Sequence, residues 1–490
     1  MTLDGTLERS RATQPDANEF ARAIESLKQV VGPSGWSTHP GLLEPHLVDW
    51  TGLFRGQSPL LLKPARTEDV AAIVTICREN GLSIVPQGGN TSLVGGSVPS
   101  GHGTEIIVNL ARMNKIRAVD TLNDTITVEA GCFLAAIQAE AEKAGRFFPL
   151  RLASEGSCQI GGNLATNAGG SNVLRYGNMR DLVLGLEVVL ANGRIWNGLR
   201  GLRKDNMGYD LKQLFIGSEG TLGIITGAVL KLSPQPASLA TAICAVPSVQ
   251  AAIDLLTLCK QRTGGEVTAF ELMPGTGLEL VLKHFPACRL ALTHLHEWQV
   301  LVEFSSSANA DGQQARMETV LAEAFEAGLV TDAAVATSIG QSRSFWALRE
   351  GLAEADMIEG ATIQGDIAVP ISSIADFLTT CSSAIAVSVP GARIIAFGHL
   401  GDGNIHFGIL QPEGISAQVF LARAQDVHDI INGFTQQFGG TVAAEHGLGI
   451  VKAGEVQKYR GDVEQDLMLA VKHALDPSGM MNPGKIFAAL

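Results

Sequence analysis

The chain has 490 residues, which is too long for one ordinary core and indicates two or three domains. Hydrophobic residues make up 46% and charged residues 17%, the composition of a well-packed soluble protein. The 36 Lys and Arg residues against 49 Asp and Glu residues give a formal net charge of −13, which disfavours nucleic acid and anionic lipid as partners. No apolar run reaches the roughly 18–20 residues that span a bilayer, so we expect no transmembrane segment.

The seven cysteines are scattered and form no C-x-x-C pair. This pattern disfavours a disulfide framework, a zinc ribbon and an iron–sulfur cluster. The first twenty residues mix acidic and polar side chains and lack the apolar core of a secretory signal. We therefore expect a reducing, cytoplasmic location.

Short helices and strands alternate up to about residue 235, and three glycine-rich loops interrupt them. Apolar periodicity and capping residues predict helices over 20–31, 66–80 and 132–144. Apolar runs predict strands over 59–63, 83–86, 105–110 and 125–130, and a further strand from Asp181 that ends in an Asn192-Gly193 hairpin turn. The loops span 86–96, 160–177 and 201–226, which indicates an α+β unit with a ligand on its loop surface.

The sequence changes character at Ser233-Pro234-Gln235-Pro236, where we place a domain boundary. Beyond it, helices are predicted over 250–262, 310–328 and 463–475, and strands over 299–304, 392–398 and 405–410. We expect four segments: an N-terminal segment 1–58, a first domain 59–235, a second domain 236–450, and a C-terminal segment 451–490 that packs back on the first domain.

The loop PQGGNTSLVGG has the composition of an anion-binding concavity. Its glycines expose successive backbone N–H groups, and its short amide and hydroxyl side chains add donors suited to a pyrophosphate. The loop contains no lysine, and the chain contains no G-x-G-x-x-G, so a Rossmann dinucleotide site is not supported. Composition alone supports an anion site and an ordinary connecting loop about equally.

The stretch FGHLGDGNIHF places two histidines on either side of a Gly-Asp-Gly-Asn turn. A hairpin here would set Leu400 opposite Ile405 and His399 opposite His406, with Cβ atoms about 4.5–5.5 Å apart. That spacing would let two imidazoles share one metal ion. The ordinary alternative is a pair of hydrogen-bonded histidines near a turn.

An adjacent Glu445-His446 pair, followed by two glycines, can present both side chains at the edge of a loop. Two histidines and one glutamate match a three-ligand zinc site with an open position for catalysis. We interpret His294 and His296 as structural, because only Glu297 offers a nearby carboxylate in the sequence. An Arg349-Glu350 pair on a helix is, by itself, typical of a solvated face.

Five motifs occur in a fixed order: PQGGNTSLVGG, LFIGSEGTLGIIT, GHLGDGNIH, EHGLG and DPSGMMNPGKIF. With them the chain resembles the flavoprotein superfamily of vanillyl-alcohol oxidase and p-cresol methylhydroxylase, over nearly its whole length. The most similar group is the FAD-linked D-2-hydroxyacid dehydrogenases, which act on hydroxyglutarate, lactate or glycolate. The resemblance implies an α+β fold, with a FAD-binding domain of two α/β subdomains and an α+β substrate (cap) domain built on an antiparallel sheet.

The resemblance also implies the roles of individual residues. A metal, zinc or another divalent ion, would be held by His399, His406 and Glu445. His446 would be the acid/base, Arg349 would bind the substrate carboxylate, and Asn404 would lie beside the site. The residues implied to hold FAD are Pro86, Gln87, Gly88, Gly89, Asn90, Thr91, Gly95, Gly96, Ser154, Gly162, Asn167, Glu219 and Ile225.

The implied reaction oxidises a D-2-hydroxyacid to the 2-oxo acid, with proton removal from the hydroxyl and hydride transfer to flavin N5. The substrate would be D-2-hydroxyglutarate or a related acid such as D-malate or D-lactate. The sequence departs from the hydroxyglutarate pattern at Ala353, Gln364 and Gly408, which leaves a lactate- or glycolate-type dehydrogenase open.

A non-redox, FAD-dependent alkyl transferase of the same fold also stays open. The electron acceptor would be a soluble electron-transfer flavoprotein or a quinone rather than NAD. The group is consistent with a homodimer.

Overall fold

The computed structural model describes residues 16–307 and 312–488. In the first half, a four-stranded sheet has the order β1-β2-β4-β3, and its strands β2, β4 and β3 run parallel. A five-stranded antiparallel sheet has the order β5-β6-β10-β8-β9. The strands are β1 Trp36–Ser37, β2 Leu61–Leu62, β3 Ile84–Gln87, β4 Ile106–Asn109, β5 Ile116–Asp120, β6 Thr125–Glu129, β7 Arg146–Phe147, β8 Val183–Leu190, β9 Ile195–Gly198, β10 Gly223–Lys231 and β11 Ser233–Pro234.

Seven helices accompany these sheets within the described part of the chain: α1 Ala17–Val31, α2 Pro40–Leu47, α3 Thr67–Glu79, α4 Leu134–Lys143, α5 Ile160–Ala165, α6 Val173–Tyr176 and α7 Lys212–Phe215. A 3₁₀ turn spans Met179–Leu182, and β7 pairs with β11 as a separate two-stranded ribbon. A capping box between Asp16 and Glu19 begins α1 three residues before the predicted start. The predicted hairpin at Asn192-Gly193 is confirmed, because β8 pairs with β9 and Gly193 has a φ of +79°.

The second half is built on a seven-stranded sheet with the order β15-β12-β14-β13-β17-β18-β16, in which every neighbouring pair is antiparallel. Its strands are β12 Ser238–Val246, β13 Val267–Pro274, β14 Trp298–Ser306, β15 Asp332–Val335, β16 Thr362–Ala368, β17 Arg393–His399 and β18 Asn404–Leu410. The helices are α8 Val249–Thr263, α9 Gly275–His284, α10 Gln313–Glu326, α11 Ile339–Glu359, α12 Ile374–Ser388, α13 Ala417–Leu421, α14 Ala424–Gln437, α15 Glu455–Tyr459 and α16 Asp462–Leu475. The predicted fold class, α+β with an antiparallel sheet in the second domain, is confirmed.

The C-terminal segment returns to the first half of the molecule. The buried Lys472 ammonium donates to the carbonyl of Thr221 at 2.7 Å, and the amide of Asn482 donates to the carbonyls of Gly96 and Glu219. The last residues therefore close over two of the glycine-rich loops. The four-segment division stays a prediction.

Among the described residues, the stretch Ile371–Ser388 is long and apolar enough to cross a membrane by length and composition. It comprises a 3₁₀ turn, Ile371–Ser373, and α12. The buried side of α12 packs Ile374, Phe377 and Ile385 into the core of the second half, and serine and threonine residues lie on its outer side. This is the pattern of an amphipathic core helix.

Candidate functional site

The two halves of the predicted metal site meet in the structure. The loop after α14 brings the Glu445 carboxylate between the two histidines of the β17–β18 hairpin. His406 Nε2 lies 3.4 Å from Glu445 Oε1, and His399 Nε2 lies 3.8 Å from Glu445 Oε2. His446 Nε2 is 3.7 Å from Glu445 Oε1, and the His446 ring stacks 5.7 Å from that of His406. Three imidazoles therefore face the two oxygens of one carboxylate.

The predicted pairing of His399 with His406, and of Leu400 with Ile405, is wrong. β17 and β18 pair two residues out of that register, with Phe397 opposite His406. The reason is the turn, in which the N–H groups of Asp402 and Gly403 both donate to the carbonyl of His399 and so close the turn at that residue. A shift of two residues keeps each side chain on its original face of the sheet, so the two imidazoles still meet, with ring centroids 5.8 Å apart.

Glu271, which the sequence analysis missed, anchors one side of the site from β13. Its Oε1 accepts a hydrogen bond from His399 Nδ1 at 2.8 Å, and its Oε2 accepts one from Arg349 Nε at 2.8 Å. Glu271 is buried in the middle of the sheet, directly opposite His399 across the β13–β17 pair. Because Nδ1 of His399 donates its proton to Glu271, Nε2 is the ring atom that faces Glu445 and that would bind a metal once its own proton is released.

Asp366 on β16, also missed, anchors the other side. Its Oδ2 accepts the backbone N–H groups of Glu445 and His446 at 3.0 and 2.9 Å, which fixes the loop that carries both side chains. Its Oδ1 accepts a hydrogen bond from the amide of Asn404 at 3.0 Å and lies 4.0 Å from His406 Nδ1. Asn404 therefore supports the site through Asp366. A lone acidic residue inside each of the two strands was the sequence signal that could have identified both.

Burial and charge compete at these groups. Burial lowers the pKa of His399, but the Glu271 carboxylate outweighs this and raises the pKa to about 9. Burial raises the pKa of Glu271, but His399 and Arg349 outweigh it and hold that pKa at about 2. Burial dominates at the other two groups, and it places the pKa of His406 well below its usual range and raises the pKa of Glu445. A neutral His406 can offer a nitrogen lone pair, and a Glu445 with a raised pKa gains from a nearby positive charge. Both groups are therefore suited to bind a cation.

The donor set fits a divalent cation. Ligands on a tetrahedral zinc ion at about 2.0–2.1 Å lie about 3.3 Å from one another, and the Nε2 atoms of His406 and His399 lie 3.4 and 3.8 Å from the two different oxygens of Glu445. Glu271 accepts a hydrogen bond from the far ring nitrogen of His399 and so orients the ring, as is characteristic of metal-binding histidines. Asp366, His406, Glu445 and His446 offer ligand atoms that all lie within 4.8 Å of one another, whereas His399 approaches the other oxygen of Glu445.

Arg349 does not lie on a solvated helix face and does not pair with Glu350, as the residue pattern alone suggested. It is buried on the inner face of α11, with its Nε bound to Glu271 and its Cζ 5.0 Å from the centre of the Phe397 ring. The two terminal nitrogens of its guanidinium have no hydrogen-bond partner among residues 16–307 and 312–488. They are therefore open to a planar carboxylate.

The glycine-rich loop 86–96 begins at Pro86, near the end of β3, and its own polar side chains anchor it to neighbouring backbone carbonyls. The Gln87 amide, fully buried, donates to the carbonyls of residues 46 and 97, and the Asn90 amide donates to the carbonyl of Val48 at 2.8 Å. Asn90 has a φ of +55°, which short polar side chains tolerate. The backbone N–H groups of residues 89–93, which include Thr91, have no hydrogen-bond partner in the described chain. A row of free donors is the chemistry that a pyrophosphate requires.

The second glycine-rich stretch packs directly against this loop. A Cβ added at Gly89 would lie 2.2 Å from the carbonyl oxygen of Ser157, within the turn that begins at Ser154. Gly88 faces Gln159, whose Oε1 is buried without a hydrogen-bond partner among the described residues. Gly162 opens onto free space. These features fit a bound cofactor between the two loops.

Three of the implied cofactor residues have clear structural duties. The Asn167 Oδ1 accepts the backbone N–H of Arg180 at 2.9 Å, with Asn167 at a φ of +50°. Ile225 is buried within β10, where it packs in the core of the five-stranded sheet. Glu219 is buried, and its carboxylate accepts the backbone N–H groups of Leu448 and Gly449 at 2.7 and 2.8 Å.

The Glu219 contact links the two candidate sites. A Cβ added at Gly96 would lie 3.5 Å from Glu219 Oε2, and a Cβ added at Gly95 would lie 3.2 Å from the Ile450 side chain. The N–H of Ile450 also donates to the carbonyl of Val94 at 2.9 Å. The loop that carries Glu445 and His446 is thus fastened to the glycine-rich loop, which brings the cofactor cradle beside the histidine cluster.

Two sequence families match the chain. The FAD linked oxidases, C-terminal domain family matches residues 235–486, and the FAD binding domain family matches residues 59–198. The chain belongs to the FAD-linked oxidase family. This result confirms the resemblance inferred from the five motifs and supports FAD as the cofactor.

Relatives of known name cover almost the whole chain. A zebrafish (Danio rerio) protein named mitochondrial D-2-hydroxyglutarate dehydrogenase is 38% identical over 479 residues, which cover 97% of this chain and 86% of the relative. A Xanthomonas citri protein named D-2-hydroxyglutarate dehydrogenase is 35% identical over 464 residues, 95% of this chain and 96% of the relative. Among solved structures, p-cresol methylhydroxylase with substrate bound has a TM-score of 0.74 at 15% identity, over 97% of this chain and 98% of that chain. That likeness establishes a shared fold.

Proposed function

We propose that the protein is a FAD-linked dehydrogenase that oxidises a D-2-hydroxyacid to the 2-oxo acid, with a divalent metal, zinc or a related ion, at His399, His406 and Glu445. The observation that carries the proposal is the attachment of the Glu445-His446 loop to two glycine-rich loops: to loop 201–226 through Glu219, and to loop 86–96 through the hydrogen bond from the Ile450 N–H to the Val94 carbonyl. A cofactor in the cradle and a substrate at the histidine cluster would then be neighbours. The names of the relatives supply the class of substrate.

Each side chain has a distinct task in this proposal. FAD supplies a two-electron acceptor, and the cation supplies a Lewis acid that lowers the pKa of the substrate hydroxyl. His446 removes the hydroxyl proton. Its side chain is 28% exposed, compared with 12% for His399 and 18% for His406, so it is the imidazole that a substrate can most easily reach. The free end of the Arg349 guanidinium binds the substrate C1 carboxylate, and Glu271 holds that guanidinium in place.

The sheet beyond the cluster indicates what the rest of the substrate meets. Gln364 on β16 pairs with Gly408 on β18, and each lies two residues from a site residue, Asp366 or His406, on the same face of its strand. An added Cβ at Gly408 would lie 2.7 Å from the Oδ2 of Asp356. No basic side chain stands at these two paired positions.

Asp356 lies seven residues after Arg349 on α11, and therefore on the same face of the helix, about 10 Å along its axis. It is fully buried, and neither carboxylate oxygen has a hydrogen-bond partner among the described residues. A distal substrate carboxylate reaching Gly408 would meet this acid, which already faces the charge of the nearby Arg393. We infer that D-2-hydroxyacids without a second carboxylate, such as D-lactate, are preferred to D-2-hydroxyglutarate or D-malate. Ala353, the third departure, is exposed on α11.

The electron acceptor and the setting of the protein belong to the same proposal. A soluble electron-transfer flavoprotein or a quinone stays the predicted acceptor, and a homodimer the predicted assembly. The relatives from plants and animals are named mitochondrial. The cytoplasmic location stays a prediction from the cysteines, which cell fractionation would test.

Anaerobic flavin bleaching tests the proposal. The purified yellow protein is mixed with D-lactate, D-malate, D-2-hydroxyglutarate or their L-enantiomers, and the flavin absorbance is followed. Bleaching by at least one D-acid and by no L-acid is expected, with D-lactate the fastest.

Each other result has a definite meaning. Faster bleaching by D-2-hydroxyglutarate would overturn the inference from Asp356 and keep the reaction class. Failure of every hydroxyacid would overturn the proposed function and favour the redox-neutral alkyl transferase, which leaves no reduced flavin at the end of turnover.

A further inference from the structure

A second cluster of metal-ligating side chains lies at the opposite edge of the seven-stranded sheet. His294 and His296, in the segment before β14, and Asp332, the first residue of β15, offer ligand atoms that lie within 4.8 Å of one another. β15 is one edge strand, and β18 is five strand spacings away, so this cluster is about 24 Å from His406. The sequence did not reveal it, because Asp332 is remote from the two histidines along the chain.

Thr293 fixes which nitrogen of His294 is free. Its Oγ1 lies 2.7 Å from Asp332 Oδ2 and 3.0 Å from His294 Nδ1. A hydroxyl has one hydrogen, and an ionised carboxylate can only accept, so the hydroxyl donates to Asp332 and accepts from His294 Nδ1–H. Neutral His294 therefore presents the lone pair of its Nε2, the form that binds a metal.

Asp332 is oriented by the same residue. The Thr293 hydroxyl and backbone N–H both donate to its Oδ2. The aspartate keeps its second oxygen available. This is the outer-residue support that metal-binding carboxylates usually have.

His296 provides the least satisfied atom of the cluster. Its Nε2 is buried and has no hydrogen-bond partner among residues 16–307 and 312–488, and it lies 3.5 Å from Asp332 Oδ2. Its ring centroid is 4.0 Å from that of His294, so both imidazoles line one side of the carboxylate. A buried nitrogen held only by this long contact is poorly satisfied, and a shared cation would satisfy it together with its two neighbours.

We propose that His294, His296 and Asp332 bind one divalent transition-metal ion of the zinc class, with water in the remaining position. Two imidazoles and a carboxylate are ligands that zinc, copper and nickel accept, and magnesium and calcium do not favour imidazole. The ion fastens the segment before β14 to the edge strand β15, so its role is structural. The site is separate from the proposed function and does not depend on it.

Zinc titration of the full-length, FAD-loaded protein tests the site. The protein is stripped with a chelator, and Zn²⁺ is titrated against a chromophoric chelator in a background that carries His399→Ala and His406→Ala. One equivalent of Zn²⁺ is expected to remain in this background. His294→Ala, at an exposed position that should not disturb folding, is expected to abolish that equivalent, and His102→Ala, at an exposed histidine outside both clusters, is the matched control.

Thr293→Val distinguishes an oriented metal site from a group of side chains that binds cations only by charge. It keeps all three ligands and removes the hydroxyl that orients two of them, so the Zn²⁺ affinity should fall about 10–100-fold. Absence of bound Zn²⁺ in the doubly substituted background, or an unchanged equivalent in His294→Ala, would overturn the proposal. Flavin bleaching by a D-2-hydroxyacid reports on the first cluster alone, so failure there is distinguishable from failure here.

Discussion

Replacement of the buried acid Asp356 by asparagine should stabilise the protein in a pH-dependent way. Asp356 is fully buried, and burial raises its pKa to about 7, although the charge of Arg393 opposes the shift. Its carboxylate oxygens and the Nε of Arg393 all lack hydrogen-bond partners in the described chain. Asparagine has nearly the same shape and cannot ionise, so the substitution isolates the cost of the charge.

The sign and size follow from the pKa difference. The folded state keeps a proton that the unfolded state releases, so the free energy of unfolding of the wild type falls as pH rises from about 4 to about 7. A difference of about three pKa units corresponds to about 4 kcal/mol in full. The free energy of unfolding of Asp356→Asn, relative to that of the wild type, should therefore increase by about 3 kcal/mol between about pH 5 and about pH 8. In a domain of this size, that is a gain in melting temperature of about 5–10 °C.

Differential scanning calorimetry of both proteins at the two pH values measures this gain. Asp376→Asn, at an exposed position on α12, is the matched control and should show equal shifts at both values. An equal shift for Asp356→Asn at both pH values would refute the reasoning. It would mean that the carboxylate is paired in the folded protein, and Arg393 would be the partner.

Three further predictions concern the site. His446→Ala should keep the yellow colour and slow flavin reduction about 10²–10⁴-fold in stopped-flow absorbance, and near-normal reduction would remove the role of His446 as base. Glu271→Gln should leave two buried cations without their counter-charge. It should therefore lower the free energy of unfolding by about 3–5 kcal/mol in denaturant titration and weaken Zn²⁺ binding. Unchanged stability would contradict the ion-pair account. Gly89→Ala should push the two glycine-rich loops apart and weaken FAD binding about tenfold or more by fluorescence titration, whereas Gly156→Ala, where an added Cβ has nothing within 4 Å, should bind FAD normally.

The sequence predicted which side chains cluster better than it predicted the residues that support them. The His-x6-His hairpin and the Glu-His-Gly motif have rare spacing, and the structure brings them together. The hairpin register was wrong, because the hydrogen bonds that close a turn are set in three dimensions and not by the symmetry of the motif. The alternation of the sheet still put both imidazoles on one face.

Ion pairs between residues that are distant in the sequence cannot be predicted from local sequence patterns. Arg349 finds its partner Glu271 seventy-eight residues away on another strand, so the adjacent Glu350 was misleading. Asp332 pairs with a histidine segment from which it is separated by all of β14 and α10. Such contacts depend on strand order, which no short segment encodes.

The central claim is that a divalent ion at His399, His406 and Glu445 enables a D-2-hydroxyacid to reduce the flavin. The most direct measurement is anaerobic flavin reduction by the best D-2-hydroxyacid, before chelation, after chelation and after Zn²⁺ is returned, in the wild type and in His294→Ala. Reduction should be lost on chelation and restored by Zn²⁺ in both proteins. An equal rate of reduction in the metal-free protein would contradict the claim and make the histidine cluster structural.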